Sequence, residues 1–291
     1  MAKVKTPSKI NLYLKITGKR EDSYHTLESF FMPLDEPADM IEIDFNSNEG
    51  IAILCDDPRV PCDERNICYK AALHYAEHAN IQPAWQIRIE KNIPVAAGMG
   101  GGSSDAAAVL NILNAELQKL SKSELAEIAL RCGADVPFFL YPSPAEVSGI
   151  GELFEYPELK GSNIPLLIVN PKFPISASWA YKNLNPEKIG DLPELFEHDF
   201  MEALNSSNLR KLAKLIHNDL AHACYDKFPL LKIIKRELLH TKAKVAEITG
   251  SGPTMFAIYK TAGARDKAAK YFEDKYKNMR VIKTQIKKEL V

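Results

Sequence analysis

A glycine-rich segment in the first half of the chain is the feature that most restricts its fold. The segment follows a strand-like run at 85–89 and passes directly into a helix-like run at 105–110. Four glycines leave the backbone N–H groups uncovered where the next helix begins, at the positive end of its dipole. Such a site suits a polyphosphate, and a flexible linker would not continue straight into a helix. The segment comprises Pro94, Val95, Ala96, Ala97, Gly98, Met99, Gly100, Gly101, Gly102, Ser103 and Ser104.

Two common phosphate-binding loops do not match this segment. A Walker A loop has Lys directly after its glycines, but Ser103 follows Gly102 here. The dinucleotide fingerprint requires a third glycine at position 103 and an acidic residue about 20 positions further on. Glu124 has that spacing, but with Ser121 it forms a capping box that opens a helix. The segment therefore argues against a Walker A site and against a nicotinamide cofactor.

The composition of the chain excludes several other classes of function. Its 291 residues are 46% apolar and 26% charged, as in an ordinary globular protein. The net charge of −1 gives no electrostatic reason to expect a nucleic acid or a membrane as partner. The longest apolar runs are too short to span a bilayer, and the first six residues lack the apolar run of a signal peptide. Five cysteines without a Cys-x-x-Cys pair favour reduced thiols and a cytoplasmic location.

The order of periodic segments predicts an α+β fold. Alternating apolar and polar residues predict a strand at 4–16, a return strand at 27–34 and a separate strand at 40–45. Helices are predicted from Asn66 to about residue 80, at 104–118 and at 122–132, and residues 176–240 are mainly helical in pattern. This change from alternating strands and helices to a mainly helical pattern predicts two domains, at 1–160 and 161–291.

Several segments together resemble those of the GHMP kinases. The segment at 94–104 is similar to their nucleotide-binding loop, and the stretch at 249–253 is similar to their C-terminal glycine loop. The stretches at 7–14 (PSKINLYL), 18–25 (GKREDSYH) and 133–139 (GADVPFF) resemble one branch of that superfamily, the 4-diphosphocytidyl-2-C-methylerythritol kinases. The resemblance implies a two-lobe GHMP kinase fold. Residues 1–160 would form a nucleotide-binding lobe like ribosomal protein S5, and residues 161–291 a ferredoxin-like lobe that completes the substrate cleft.

The resemblance also implies a reaction and the residues that carry it. The chain would transfer a phosphoryl group from ATP, with Mg²⁺, to an alcohol of a small molecule. Asp135 matches the base that accepts the hydroxyl proton, and Lys9 matches the cation beside the γ-phosphate. From the sequence alone, Asp135 could instead cap a turn, and Lys9 could lie on the solvent face of its strand. A catalytically inactive homologue, or a mevalonate-type or homoserine-type kinase, are the alternatives.

Recognition of a cytidine-containing substrate would fall to Asn11, Tyr24, His25 and Tyr181, which match the family's substrate contacts. Trp179 lies close to Tyr181, and the sequence does not separate their roles. Ser23 replaces the glycine that precedes Tyr-His in the family, and it would carry a conformational cost if the position requires a positive φ. Ser104 and Asp105 are the candidates for holding Mg²⁺, although Asp105 could simply favour the helix N-terminus. We expect a monomer or a weak homodimer.

Overall fold

The computed structural model describes residues 2–45, 49–189 and 196–288. The strands are β1 (Ala2–Lys19), β2 (His25–Asp44), β3 (Gly50–Cys55), β4 (Ala84–Glu90), β5 (Ala145–Ser148), β6 (Leu153–Glu155), β7 (Ile164–Asn170), β8 (Val245–Ile248), β9 (Met255–Ile258) and β10 (Arg280–Ile286). The helices are α1 (Ile67–Ala79), α2 (Gly101–Leu117), α3 (Lys122–Cys132), α4 (Val136–Leu140), α5 (Ala177–Lys182), α6 (Phe196–Asn205), α7 (Leu209–Leu215), α8 (Ala221–Lys227), α9 (Pro229–His240) and α10 (Ala262–Lys275). This mixture of helices and sheets is the predicted α+β class.

The chain forms two compact units, each built from several segments. The first comprises Met1–Ser8, Pro37–Val95 and Gly100–Pro142, and the second comprises the remaining stretches, Lys9–Glu36, Ala96–Met99 and Ser143–Val291. The domain boundary predicted between residues 160 and 161 stays a prediction. Within the described ranges, none of the helices is long and apolar enough to cross a membrane.

In the first unit, strands and helices form a shared apolar core. β2 pairs antiparallel with β4 from Met40 opposite Glu90, and β3 pairs parallel with β4 from Gly50 opposite Ala84. Alternate side chains of β4 are buried, as its sequence pattern predicts. Helices α1 to α4 pack on one another, and α1 also packs on β3.

The two helix starts predicted in this unit from capping residues are confirmed. Asn66 accepts the N–H of Cys68 at the start of α1, at 2.8 Å. Ser121 and Glu124 form a reciprocal capping box at the start of α3. In both cases a short polar side chain satisfies a donor that the first turn of a helix leaves unpaired.

The second unit contains a four-stranded antiparallel sheet in the order β10, β7, β9, β8. The central strand β7 is a nearly continuous apolar run, and its residues from Leu166 to Val169 are fully buried. Helices α9 and α10 pack against this sheet. In the same unit, the first half of β2 pairs antiparallel with β5, with Ser29 opposite Val147.

Three element predictions were wrong in their bounds. Residues 25–44 form one continuous strand, where the sequence pattern predicted two strands at 27–34 and 40–45. Proline and the residue before it both favour extended backbone, so Pro37 fits within a long strand. The predictions also missed β3 and the short helix α4. Helix α2 begins at Gly101, three residues before the predicted start.

Candidate active site

The glycine-rich segment ends in the first turn of α2, as the sequence predicts. Gly100 precedes the helix with a φ of +73°, in the left-handed region, and no side chain caps the helix start. A side chain at Gly101 would bring its Cβ to 2.9 Å from the Ile93 side chain, so only glycine allows this turn to lie so close to the preceding loop. The N-cap and the first two residues of this 17-residue helix are therefore glycines, at the turn whose N–H groups have no partner within the helix.

The part of the segment before Gly100 packs against the C-terminal glycine loop, within the second unit. A Cβ at Gly98 would lie 2.1 Å from the carbonyl oxygen of Thr249, and a Cβ at Gly250 would lie 3.0 Å from the carbonyl oxygen of Gly98. Both glycines have positive φ values. The two loops thus meet backbone to backbone, and this explains why both sequences are rich in glycine.

Lys9 is buried, with 4% of its surface exposed, and does not lie on the solvent face that its strand pattern allows. Its ammonium donates to Oδ1 of Asn11 at 2.7 Å and lies 4.1 Å from the centre of the Phe31 ring. The amide oxygen and the ring face both stabilise a desolvated cation. The backbone N–H of Lys9 donates to the Met99 carbonyl at 3.0 Å and so joins the strand to the glycine-rich segment.

Asn11 connects Lys9 to the C-terminal glycine loop. It is 3% exposed, and its backbone N–H donates to Oγ1 of Thr249 at 2.9 Å. Its side chain accepts from Lys9 and donates to Oγ of Ser29 at 2.9 Å. The second unit therefore brings together the predicted residues Lys9 and Asn11, the residues 96–99 and the loop at 249–253.

Asp135 lies at the start of α4 in the first unit and is half-buried. Its side chain makes no capping hydrogen bond to this helix, and the alternative that Asp135 caps a turn stays a prediction. A Cβ added at Gly133 would lie 3.8 Å from the side chain of Ile67, and a Cβ added at Gly102 would lie 3.6 Å from the same side chain. The turn that carries Asp135 and the first turn of α2 therefore both pack against the side chain of Ile67.

A buried ion-pair network lies beside the glycine-rich segment, and the sequence analysis missed most of it. The ammonium of Lys91 pairs with Asp39 and, at 2.7 Å, with Asp105 in α2, and at most 5% of each of the three side chains is exposed. Asp39 also accepts the backbone N–H of Ile93 at 2.6 Å, and Thr6 donates to Asp105 at 3.2 Å. The network thus fixes both the loop before the glycines and the helix after them.

The charges of this network shift the pKa values of two members. Burial raises the pKa of Asp105 to about 7, an effect that Lys91 opposes and Asp39 reinforces. Burial lowers the pKa of Lys91, but the two carboxylates outweigh it and hold this pKa above its usual range. No local motif marks this network in the sequence, because Lys91 and Asp39 are 52 positions apart.

The aromatic side chains predicted to bind substrate have different surroundings in the second unit. The rings of His25 and Tyr181 stack 5.6 Å apart, whereas the ring of Trp179 packs edge-on against Phe228. The structure therefore separates Tyr181 from Trp179, which the sequence did not. Tyr24 is 61% exposed. Burial lowers the pKa of His25, and Lys19 lowers it further, so the neutral imidazole is favoured at pH 7.

Ser23, which replaces the family glycine, has a φ of +70°. The position therefore does require the left-handed region, where a residue with a Cβ is strained by about 1–2 kcal/mol. The strain lies in the turn that joins β1 to β2, immediately before Tyr24 and His25.

Both candidate metal ligands are engaged with protein groups. The hydroxyl of Ser104 donates to the Pro7 carbonyl at 2.6 Å, and Ser104 is 2% exposed. One carboxylate oxygen of Asp105 accepts from Thr6 and the other from Lys91. Among the described residues, one group has the spacing of a metal site, His198 with Asp199 and Glu202, and Lys211 pairs with both of its carboxylates. All five cysteines are free thiols.

Two family models match the chain. The model of the GHMP kinases N terminal domain matches residues 66–143, and that of the GHMP kinases C terminal matches residues 200–278. A solved homoserine kinase from Cytophaga hutchinsonii has a TM-score of 0.74 at 17% identity, over 99% of this chain and 96% of its own. These matches and the two glycine loops define the fold as that of a GHMP kinase, as predicted.

Two proteins with higher sequence identity show to which family of GHMP kinases the chain belongs. The 4-diphosphocytidyl-2-C-methyl-D-erythritol kinase of Clostridium perfringens is 37% identical over 276 residues, which are 94% of each chain. The crystal structure of a 4-(cytidine 5'-diphospho)-2C-methyl-D-erythritol kinase has a TM-score of 0.82 at 30% identity and covers 98% of both chains. The chain therefore belongs to the family of the 4-diphosphocytidyl-2-C-methyl-D-erythritol kinases.

Proposed function

We propose that the chain transfers the γ-phosphoryl group of ATP to the 2-hydroxyl of 4-diphosphocytidyl-2-C-methyl-D-erythritol. The products are the 2-phosphate and ADP, in the non-mevalonate route to isoprenoid precursors. The observation that carries this proposal is the 37% identity to the Clostridium perfringens kinase over 94% of both chains.

ATP would bind along residues 94–104. The first-turn N–H groups of α2 and the positive end of its dipole suit the phosphates, and the absent side chains at 100–102 let the phosphates approach the backbone. Transfer of a phosphoryl group depends mainly on positioning and on electrostatic stabilisation of its oxygens. The network of Lys91, Asp39 and Asp105 would keep the segment in this conformation, since it fixes the residues on both sides.

Asp135 and Lys9 would carry the chemistry. Asp135 would accept the proton of the 2-hydroxyl as the alcohol oxygen forms its bond to the γ-phosphorus and the bond to the ADP oxygen breaks. The ammonium of Lys9 would stabilise the negative charge on the transferring group and on the attacking oxygen. Burial of Lys9 supports this role, because a cation acts more strongly in a site that water does not reach.

The cytosine end of the substrate would be bound by Tyr24, His25 and Tyr181, with Asn11 nearer the reacting hydroxyl. Carbon atoms in contact lie about 3.5 Å apart, so a ring stacked between two others needs about 7 Å, and the 5.6 Å between His25 and Tyr181 does not admit a third ring. Cytosine would therefore stack on Tyr181 while His25 moves to the edge of the base. A neutral imidazole has one donor and one acceptor nitrogen, which suits the polar edge of cytosine.

Mg²⁺ would enter with ATP, held by phosphate oxygens and water, as is common for this cation. Ser104 and Asp105 do not fit as its ligands, because Ser104 is 2% exposed and both carboxylate oxygens of Asp105 accept from protein donors. Monomeric or weakly dimeric assembly and a cytoplasmic location stay predictions from the sequence.

An ADP-release assay with a panel of alcohols tests the proposal. We expect turnover with 4-diphosphocytidyl-2-C-methyl-D-erythritol and none with mevalonate or homoserine, and a loss of at least about a hundredfold in kcat for Asp135→Ala. Another GHMP alcohol kinase is the alternative, but its likeness at 17% identity extends to the fold alone. Turnover of mevalonate, or an Asp135→Ala variant with full activity, would contradict the proposal.

A further inference from the structure

A series of side-chain hydrogen bonds leads from Lys9 to a backbone carbonyl. Lys9 donates to Oδ1 of Asn11 at 2.7 Å, and Nδ2 of Asn11 donates to Oγ of Ser29 at 2.9 Å. Ser29 in turn donates to the carbonyl oxygen of Tyr13 at 2.5 Å. All these groups belong to the second unit, and Ser29 is completely buried.

The carbonyl at the end of this series sets the direction of every bond in it. A carbonyl oxygen only accepts, so Ser29 has to give its single proton to Tyr13. The Ser29 oxygen can then only accept, and the NH₂ group of Asn11 has to face it. The other end of the same amide, Oδ1, is thereby turned toward the ammonium of Lys9.

The amide of Asn11 needs such a constraint. The backbone of Asn11 is held by Thr249, but the terminal torsion of an asparagine has a broad, roughly two-fold preference. The reversed amide would direct N–H groups at the ammonium of Lys9, and donors repel a cation. The hydroxyl of Ser29 accepts from Nδ2 of Asn11 at 2.9 Å and so favours the observed orientation. The hydroxyl of Thr249 is a weaker constraint, because its single proton is shared between Oδ1 of Asn11 at 3.4 Å and the Gly98 carbonyl at 3.3 Å.

We infer that Ser29 is a positioning residue for phosphoryl transfer. It selects the orientation of the Asn11 amide that holds the Lys9 ammonium in place, and it touches neither substrate nor ATP itself. This inference rests on the proposed function, because it uses the role that Lys9 has there.

A purely structural role for Ser29 makes different predictions. A buried serine that only stabilised the pairing of β2 would affect the midpoint of thermal unfolding, and its loss would add to the loss from any change at Asn11. A positioning role that acts through Asn11 affects kcat, and the effect disappears when Asn11 has no amide. The two roles are therefore separated by a double-mutant cycle.

The experiment compares Ser29→Ala, Asn11→Ala and the double variant by steady-state ADP release and thermal unfolding. We expect Ser29→Ala to lower kcat about tenfold, because one hydrogen bond that supports the transition state is lost. The KM values for ATP and for the alcohol should stay within about twofold of the wild-type values. In the Asn11→Ala background, Ser29→Ala should cause no further loss of kcat. Ser29→Thr retains the hydroxyl and should restore most of kcat.

Ser8→Ala is the matched control. Ser8 lies directly before Lys9 in β1 and is completely buried, but its hydroxyl has no hydrogen-bond partner in the part of the chain that the structure describes. The same chemical change at this position should leave kcat unchanged. If Ser29→Ala does not fold, Ser29→Cys keeps the shape with a weaker donor and should follow the same pattern with a smaller loss.

Two results would overturn the inference: a folded Ser29→Ala variant with the kcat of the wild type, or losses from Ser29→Ala and Asn11→Ala that multiply. Failure of the proposed function is seen elsewhere, in a wild-type chain that phosphorylates no alcohol. That result would overturn both, whereas an active wild type with multiplying losses overturns only the role of Ser29.

Discussion

Lys9 and Lys91 are both buried lysines, one in each compact unit, but their surroundings differ. Lys91 lies between the carboxylates of Asp39 and Asp105. Lys9 donates to the neutral amide of Asn11 and lies over the ring of Phe31. A lysine between two carboxylates has its charge compensated within the protein, so it suits a structural role. The amide oxygen and the ring face both stabilise the ammonium of Lys9, which we place at the transferring phosphoryl group.

The comparison predicts that loss of Lys91 mainly affects stability. Lys91→Met leaves Asp39 and Asp105 buried without their cation, and we expect the free energy of unfolding to fall by about 3–5 kcal/mol. Chemical denaturation measures this change. At low temperature, the kcat of the folded fraction should fall far less than in a variant of Lys9. A Lys91→Met chain with the stability of the wild type would contradict the structural role of Lys91.

Loss of Lys9 should have the opposite signature. Lys9→Met retains an unbranched side chain over the Phe31 ring but removes the charge and the donor to Asn11, so we expect a destabilisation of about 1–3 kcal/mol, smaller than that of Lys91→Met. The kcat should fall by about 10²–10³, as when a group that stabilises transition-state charge is removed. Steady-state kinetics and thermal unfolding of the same preparation measure both. Large destabilisation with kcat preserved would show that Lys9 is structural like Lys91.

The pH dependence of stability should sharpen the comparison further. Because the pKa of Asp105 is about 7 in the folded chain and near 4 in an unfolded one, the folded state binds the additional proton between these values. The contribution of Asp105 is therefore full at low pH and is lost as the pH rises toward 7, by up to about 1.4 kcal/mol per pH unit. Asp105→Asn should lack this decline in denaturation series at pH 4.5 to 7.5. An identical decline in the variant would contradict the assignment.

The smallest effect is expected at Ser23, whose contribution is backbone strain in the turn between β1 and β2. Ser23→Gly relieves a side chain held at a φ of +70°, although the greater freedom of glycine in the unfolded chain offsets part of the gain. We expect a net stabilisation of about 0.5–1 kcal/mol, measured by chemical denaturation. A less stable variant would show that the hydroxyl of Ser23 contributes more than its backbone strain costs.

Features that depend on local chemistry could be predicted from the sequence. The caps at Asn66 and Ser121 and the helix after the glycines follow from neighbouring residues, and the structure has all three. The roles given to Lys9 and Asp135 came from the resemblance to a family, because each residue alone had an ordinary structural reading.

Features that depend on distant parts of the chain could not be predicted. The ion pairs of Lys91 join residues 14 and 52 positions away, and the stacking of Tyr181 on His25 joins two separate segments. The strand through Pro37 is continuous because extended backbone tolerates proline, while its sequence pattern predicted two separate strands. In each case the structure depends on contacts between distant residues, which the local sequence does not indicate.

The central claim is that Lys9 and Asp135 act on the same phosphoryl transfer, and the double variant Lys9→Met/Asp135→Asn tests it most directly. Groups that act as one unit give strongly non-additive losses, so kcat/KM of the double variant should be close to that of the worse single variant. Losses that multiply across the two single variants would mean that the two residues act independently, and would contradict the account.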